Sequence, residues 1–178
     1  MKTLIVYSSK YGSTKVIAGW IAERLGFDCM IINAKDAPAP VDFDLVILGS
    51  GIYEGSPMPE LNAYIDRHIK VLEGKNKVVF GVCLDTKGIF VKGKIRGGWK
   101  YIMCIIKRFK NPPFHAGLLH GEINPAKLTS RDHKRLMHFY NQILKKNVSD
   151  VPYKTKMNKE EVWDFAERIM NKLVGRIY

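Results

Sequence analysis

Six consecutive positions, Ser9-Lys10-Tyr11-Gly12-Ser13-Thr14, bring hydroxyls, a lysine and a glycine together directly after the apolar stretch Leu4 to Tyr7. Hydroxyls and main-chain amides are the groups that bind a phosphate dianion. Gly12 is free to take positive φ, which lets consecutive N–H groups converge on one anion. The helical pattern that follows, Thr14 to Leu25, puts a helix N-terminus at the same point, and Lys15 adds positive charge nearby. The expectation is a phosphorylated cofactor. The same residues also suit a tight turn with Ser13 or Thr14 capping a helix, and both readings stand on these positions alone.

A second segment, Gly49-Ser50-Gly51-Ile52-Tyr53-Glu54-Gly55, follows the apolar stretch Asp44 to Leu48. Its glycines permit close main-chain approach, Ile52 offers apolar contact and Tyr53 a stacking face. That combination fits a planar heteroaromatic ring held by main-chain hydrogen bonds. A third segment, Leu84-Asp85-Thr86-Lys87-Gly88, closes another apolar stretch.

Other motifs carry less. Gly88 to Lys94 has the spacing of a nucleotide-binding P-loop, but Ile95 stands where a magnesium-binding Ser or Thr is needed. Gly49 to Gly55 is one residue too long for a dinucleotide fingerprint. A phosphoacceptor domain requires acidic residues where this chain has Ser8, Ser9, Gly49 and Ser50. Histidines 68, 115, 120, 133 and 138 form no pair at helical spacing, so no metal site is expected, and no Ser, His and Asp set emerges.

The elements that position these segments read as alternating strands and helices. Strands are expected at Thr3 to Tyr7, Cys29 to Ile32, Asp44 to Leu48, Lys77 to Leu84 and His115 to His120. Helices are expected at Thr14 to Leu25, Met58 to Leu72, Gly97 to Lys110, Arg131 to Lys145 and Asn158 to Leu173. Short, near-continuous apolar runs are what strands covered on both faces look like, so the expected fold is α/β, a doubly wound parallel sheet. In strand order 2-1-3-4-5 the ligand crevice opens at the carboxyl ends of strands 1 and 3, where the first two segments lie. The last helix opens with Asn158 as cap and Glu161 three residues on, the pattern of a capping box. Residues 1–178 read as one domain, with 124–156 inserted before that helix.

The composition, 46% hydrophobic and 26% charged, is that of an ordinary folded domain. Three cysteines without a CxxC pair point to a reducing cytoplasm, and the apolar run near Met1, only four residues long, is shorter than a signal peptide or membrane span needs, so neither is expected from it. With 29 Lys plus Arg against 17 Asp plus Glu, the net charge of +12 favours anionic partners. A nucleic-acid module would need aromatic platforms or a recognition helix, and neither is seen.

Val6 to Thr14 together with Leu48 to Gly55 resembles the flavodoxin family. The resemblance implies a flavodoxin-like fold with FMN as cofactor. Ser9, Lys10, Tyr11, Gly12, Ser13 and Thr14 match its phosphate loop. Ser50, Gly51, Ile52, Tyr53, Glu54 and Gly55 match the loop on one side of the isoalloxazine, and Leu84, Asp85, Thr86, Lys87 and Gly88 the loop on the other. Within the family, length, basic charge and the segment after the fifth strand are similar to the flavodoxin-type, menaquinone-dependent protoporphyrinogen oxidases. Trp163 to Ile169 resembles their closing helix, while Thr129 to Tyr140 departs from their aromatic and arginine-rich insertion.

The resemblance implies an oxidoreductase in which FMN carries the redox chemistry, a porphyrinogen or similar reduced anion is oxidised and a quinone accepts the electrons. Lys10, Lys87, Arg131, Lys134 and Arg135 are the candidate cations for substrate carboxylates. The alternative is an electron carrier with no small-molecule substrate, serving a redox protein partner. Leu136, Phe139, Tyr140, Ile143 and Leu144 fall on one face of the inserted helix, a pattern that suits either core packing or peripheral contact with the inner face of an anionic membrane.

Overall fold

The computed structural model of the protein describes residues 1–26, 28–91 and 93–177. Its centre is a sheet of five parallel strands: β1 (Lys2–Ser8), β2 (Asp28–Asn33), β3 (Leu45–Tyr53), β5 (Asn76–Cys83) and β8 (His115–His120). They lie in the order β2-β1-β3-β5-β8. Counting the parallel strands alone, this is the expected 2-1-3-4-5 arrangement of a flavodoxin-like α/β fold. A short strand β4 (Ser56–Pro57) runs antiparallel to the end of β3.

Successive side chains of a strand point to opposite faces, and β1 shows what that requires here: Leu4, Ile5 and Val6 are all fully buried. Ile5 packs into a core with Ile17 and Ile21 of α1 (Ser13–Leu25) and Val162, Phe165 and Ile169 of α5 (Lys159–Ile177). Leu4 and Val6 pack on the other face with Leu61 and Ile65 of α2 (Pro59–Glu73) and Ile102 and Ile105 of α3 (Lys100–Ile106). Helices therefore cover both faces, and the crevice between β1 and β3 opens only at the carboxyl edge.

Several expected boundaries move. Residues 49–53, read as loop, extend β3, because Gly49, Ser50 and Gly51 pair with Phe80, Gly81 and Val82 of β5. The chain then reverses through Glu54 (φ 53°) and Gly55 (φ 81°) into β4. Both positive φ values are what a two-residue hairpin turn of the primed kind demands. The helix expected from Gly97 begins only at Lys100, since Gly97 (φ 85°) and Gly98 (φ 61°) are left-handed. β6 (Ile89–Val91) and β7 (Lys94–Arg96) pair antiparallel, and Lys92 between them lies outside the described residues. A P-loop needs a strand leading into a helix, and after β6 the chain enters a second strand instead.

The helix expected over Arg131 to Lys145 is α4 (Ser130–His138) followed by a π-helical turn, Phe139–Ile143. The ends of this inserted lobe are clamped by β9 (Glu122–Ile123) against β10 (Lys154–Thr155), antiparallel. Among the described residues no helix is long and apolar enough to cross a membrane.

His115 opens β8 with its ring 4.7 Å from that of Phe165 and its Nε2 buried without a hydrogen-bond partner. Burial, with Lys172 and Arg168 close by, pushes its pKa from 6.5 down to about 4. The unfolded chain therefore takes the proton first. Stability is full above the unfolded value and falls as pH drops from 6.5 toward 4. Thermal melts across that window should show a steeper loss for the natural chain than for His115→Phe. Parallel curves would mean that His115 titrates normally.

Candidate functional site

The carboxyl ends of β1, β3 and β5 bring the three segments to one cavity of about 730 Å³, within the range of small-molecule sites. Lys10, Tyr11, Ser13 and Thr14 line it from the first segment. Gly51, Ile52, Tyr53, Glu54 and Gly55 line it from the second, and Leu84, Asp85 and Gly88 from the third. Ser9, Gly12, Ser50, Thr86 and Lys87 stand outside the lining and support it or face elsewhere. Ser9 Oγ accepts from Gly12 N–H (3.0 Å), fixing the turn in which Gly12 has φ 101°. Ser50 is fully buried; its Oγ accepts from Met58 N–H and donates to the Gly51 carbonyl, both at 2.8 Å.

Neither Ser13 nor Thr14 caps α1. Gly12 holds the cap position and no side chain bonds to the first turn. Val16 N–H is the first to reach back, to the Gly12 carbonyl at 3.1 Å. The N–H groups of Ser13, Thr14 and Lys15 thus have no intrahelical partner, which is the condition for anion binding at a helix start. The Thr14 side chain lines the cavity although the residue is only 1% exposed. A Cβ on Gly51 would stand 3.1 Å from Thr14 Oγ1 and 2.6 Å from Tyr53 Cε2, so only glycine leaves that space open. An unspent helix start, two hydroxyls and a glycine cradle at the same end of the cavity fit a phosphate with an attached planar ring. Of the two readings of Ser9 to Thr14, the capped helix is the one this geometry contradicts.

The Tyr53 hydroxyl accepts from the N–H groups of Lys10 (3.2 Å) and Tyr11 (3.3 Å), tying the first two segments together. Burial pushes its pKa up. The rings of Tyr11 and Tyr53 are 5.9 Å apart. Cys83 also lines the cavity, and burial pushes its thiol up to about 11, so it is not a nucleophile there.

Opposite these segments the wall comes from the inserted lobe. Leu128, Leu136, Phe139, Tyr140 and Leu144 line the same cavity. The wider π turn, closed by Leu144 N–H on the Phe139 carbonyl at 3.0 Å, carries the last three onto it. The apolar face read as core or membrane contact is thus cavity wall, apart from Ile143. Two contacts strap α4 across the segments. Asp132 accepts from Lys10 Nζ at 2.5 Å and from the Tyr11 hydroxyl, and Arg135 pairs with Glu54. Burial pushes Asp132 up, but the hydrogen bonds from Lys10 and Tyr11 outweigh it and hold it below the usual carboxylate range.

Charge at the cavity is not balanced. Each lining carboxylate has a cation: Asp132 has Lys10, Glu54 has Arg135, Asp85 has Lys156 at 2.9 Å and Glu122 has Lys127 at 3.3 Å. Among the described residues, Lys146 and Lys154 line the cavity without an ion pair. Of the cations expected to meet a substrate, Lys10 and Arg135 are at the cavity but paired, while Lys87, Arg131 and Lys134 are exposed outside its lining. Lys146 and Lys154 carried no sequence signal; only the β9–β10 clamp and the chain after the π turn bring them here.

Comparison with known proteins places the fold. The family model described as Flavodoxin domain matches residues 4–150. No curated protein sequence matches. A flavodoxin from the domain Archaea is similar over 97% of this chain and 98% of its own, at 16% identity and TM-score 0.55. The rubredoxin:oxygen oxidoreductase of the anaerobe Desulfovibrio gigas is similar over 99% of this chain at 17% identity and TM-score 0.58, and there the match spans 37% of the larger protein. Oxidised flavodoxin 1 from Bacillus cereus is similar over 83% of this chain and all of its own, at 18% identity and TM-score 0.51. At such identities these structural likenesses speak to fold alone.

Proposed function

This chain belongs to the flavodoxin domain family, and from that premise we propose that it is an FMN-dependent oxidoreductase whose substrate is a reduced, apolar-bodied anion such as a porphyrinogen, with a quinone as electron acceptor. FMN is its cofactor and its role is redox. When bound, FMN supplies a two-electron redox centre that no side chain here provides. The protein holds and orients. Ser13, Thr14 and the unspent amides of α1 would hold the phosphate, and Gly51 and Tyr53 with the segment 84–88 would hold the ring. Each turnover moves two electrons and two protons from the substrate to one quinone; taking a porphyrinogen to the porphyrin removes six of each and reduces three quinones, so the reaction balances without a further reagent.

The observation that carries the substrate class is the wall of the inserted lobe. Leu136, Phe139, Tyr140 and Leu144 offer an apolar surface that excludes water, and Lys146 and Lys154 are the cations left over for carboxylates. A cytoplasmic location at the inner face of an anionic membrane goes with a lipid quinone. Phe90, 75% exposed on the cavity rim, and Trp99, 49% exposed, supply aromatic contact for it.

The test is anaerobic absorbance of the FMN-loaded protein on adding protoporphyrinogen. Loss of the flavin bands, reversed by a menaquinone analogue, is the expected result. A yellow protein that stays oxidised would favour the electron carrier. The double change Lys146→Gln/Lys154→Gln should raise KM for the anionic substrate roughly 2- to 30-fold with kcat held, the scale of two exposed charge contacts. Unchanged KM would sink the assignment of these two cations.

A further inference from the structure

The pattern Asn158 to Glu161 predicts a capping box, with the Glu161 carboxylate reaching back to the cap. The cap forms but the box does not: Asn158 Oδ1 accepts from Glu160 N–H at 2.9 Å, a bond to the second residue of the helix. Glu161 instead crosses to the end of β8. There its Oε2 accepts from the main-chain N–H of His120 (3.2 Å) and its Oε1 pairs with the ring Nδ1 (2.8 Å). The other ring nitrogen, Nε2, lies 3.1 Å from Thr86 Oγ1. With Nδ1–H committed to a carboxylate, a neutral imidazole presents Nε2 as acceptor and the Thr86 hydroxyl donates to it.

This chain of bonds joins α5, the end of β8 and the segment 84–88. Leu84, Asp85 and Gly88 line the cavity and Thr86 does not, so the bond grips the segment away from the ligand. Three other contacts hold the same stretch: Lys156 Nζ to Asp85 Oδ1 at 2.9 Å, Gly121 N–H to the Cys83 carbonyl at 2.9 Å, and Gly88 N–H to the Asp85 carbonyl at 3.2 Å. Only the last of these, a bond within the segment itself, involves residues 86–88. A carboxylate that takes both the N–H and the ring of one histidine fixes that ring's tautomer and direction, which a packing contact would not. Supporting bonds of this kind are what hold a binding group to a fraction of an ångström.

We propose that Glu161, His120 and Thr86 form a positioning chain that sets the segment 84–88 against the flavin ring, and through it the affinity for FMN and the flavin's midpoint potential, with none of the three touching the ligand. It rests on the reading that this segment flanks the ring. His120 is its central positioning residue, and the two ends are what experiment can remove most cleanly.

Thr86→Val deletes the hydroxyl and keeps the shape, while Thr86→Ser keeps the hydroxyl. Glu161→Ala breaks the chain from its other end. Three readouts apply to the whole protein: hydrogen exchange of the amides of 84–88 before FMN is added, the dissociation constant for FMN, and the midpoint potential of the bound flavin. Thr86→Val should speed exchange at 84–88 by about tenfold, the scale of one lost hydrogen bond, weaken FMN binding several-fold and shift the potential. Thr86→Ser should restore all three. Thr86→Val/Glu161→Ala should be no worse than the more affected single variant, because the chain is already open. Unchanged exchange and potential in Thr86→Val, or fully additive effects in the double variant, would overturn the proposal. Failure of the unaltered protein to bind FMN, with the exchange effect present, would instead remove the flavin from the proposal and leave a chain that only braces the segment.

Discussion

Thr14→Val should weaken FMN binding by about 5- to 150-fold, the equivalent of about 1–3 kcal/mol for a hydrogen bond to a charged group. The side chain lines the cavity, and its hydroxyl stands at the glycine cradle of Gly51. Valine matches its shape, so packing around a residue that is 1% exposed is conserved. The hydroxyl does not cap α1, so its loss leaves the helix start as it is. Binding and folding therefore separate. Fluorescence titration with FMN should show the loss, while thermal unfolding without FMN should move little. Equal affinity in the two proteins would mean that the phosphate sits away from the start of α1.

For folding, the largest effect is expected at Gly49→Ala, a loss of about 1–3 kcal/mol in urea unfolding. A Cβ at this position would lie 2.1 Å from Cζ of Phe80 and 2.3 Å from its Cε1, an overlap that no atom can sustain. Phe80 is fully buried, with its ring edge against Phe165 at 6.3 Å, so it has no solvent to move into. The Phe80→Leu change shortens the ring that is in the way. In the double variant Gly49→Ala/Phe80→Leu the two losses should add to less than their sum, with a coupling of about 0.5–3 kcal/mol. Strict additivity would show that β3 shifts as a backbone instead of being blocked by that ring.

The sheet was legible because its strands announce themselves locally. Leu4 to Val6, Val46 to Leu48 and Val78 to Phe80 are apolar on both faces, and all are fully buried between two helical layers. Where glycine governs, the boundary was misread. Gly49 and Gly51 looked like loop, yet both pair with β5, and the Phe80 ring fills the space over Gly49 while Tyr53 and Thr14 fill that over Gly51. Gly97 and Gly98 looked like the start of a helix, yet their left-handed φ values postpone it to Lys100. The inserted lobe was read as a helix with an apolar face. The face exists, but its target was open until the β9–β10 clamp folded it back over the cavity.

What the amino-acid sequence determined by itself is the chemistry within each segment: a hydroxyl-rich turn before a helix, a glycine and tyrosine segment after β3, and the strand and helix periods between them. Those signals depend on neighbours along the chain, at spacings of two to four residues. Tertiary structure alone decided which segments meet. Asp132 lies 122 positions from Lys10, Glu161 lies 41 from His120, and His120 lies 34 from Thr86. No periodicity encodes such pairs. They exist because the strand order β2-β1-β3-β5-β8 gathers separate strand ends at one edge, and because α5 and the inserted lobe return to that edge after the sheet is complete. Whether Ser13 and Thr14 cap a helix or face a ligand was decided the same way, by Gly12 taking the cap position and turning both hydroxyl-bearing residues toward the crevice between β1 and β3.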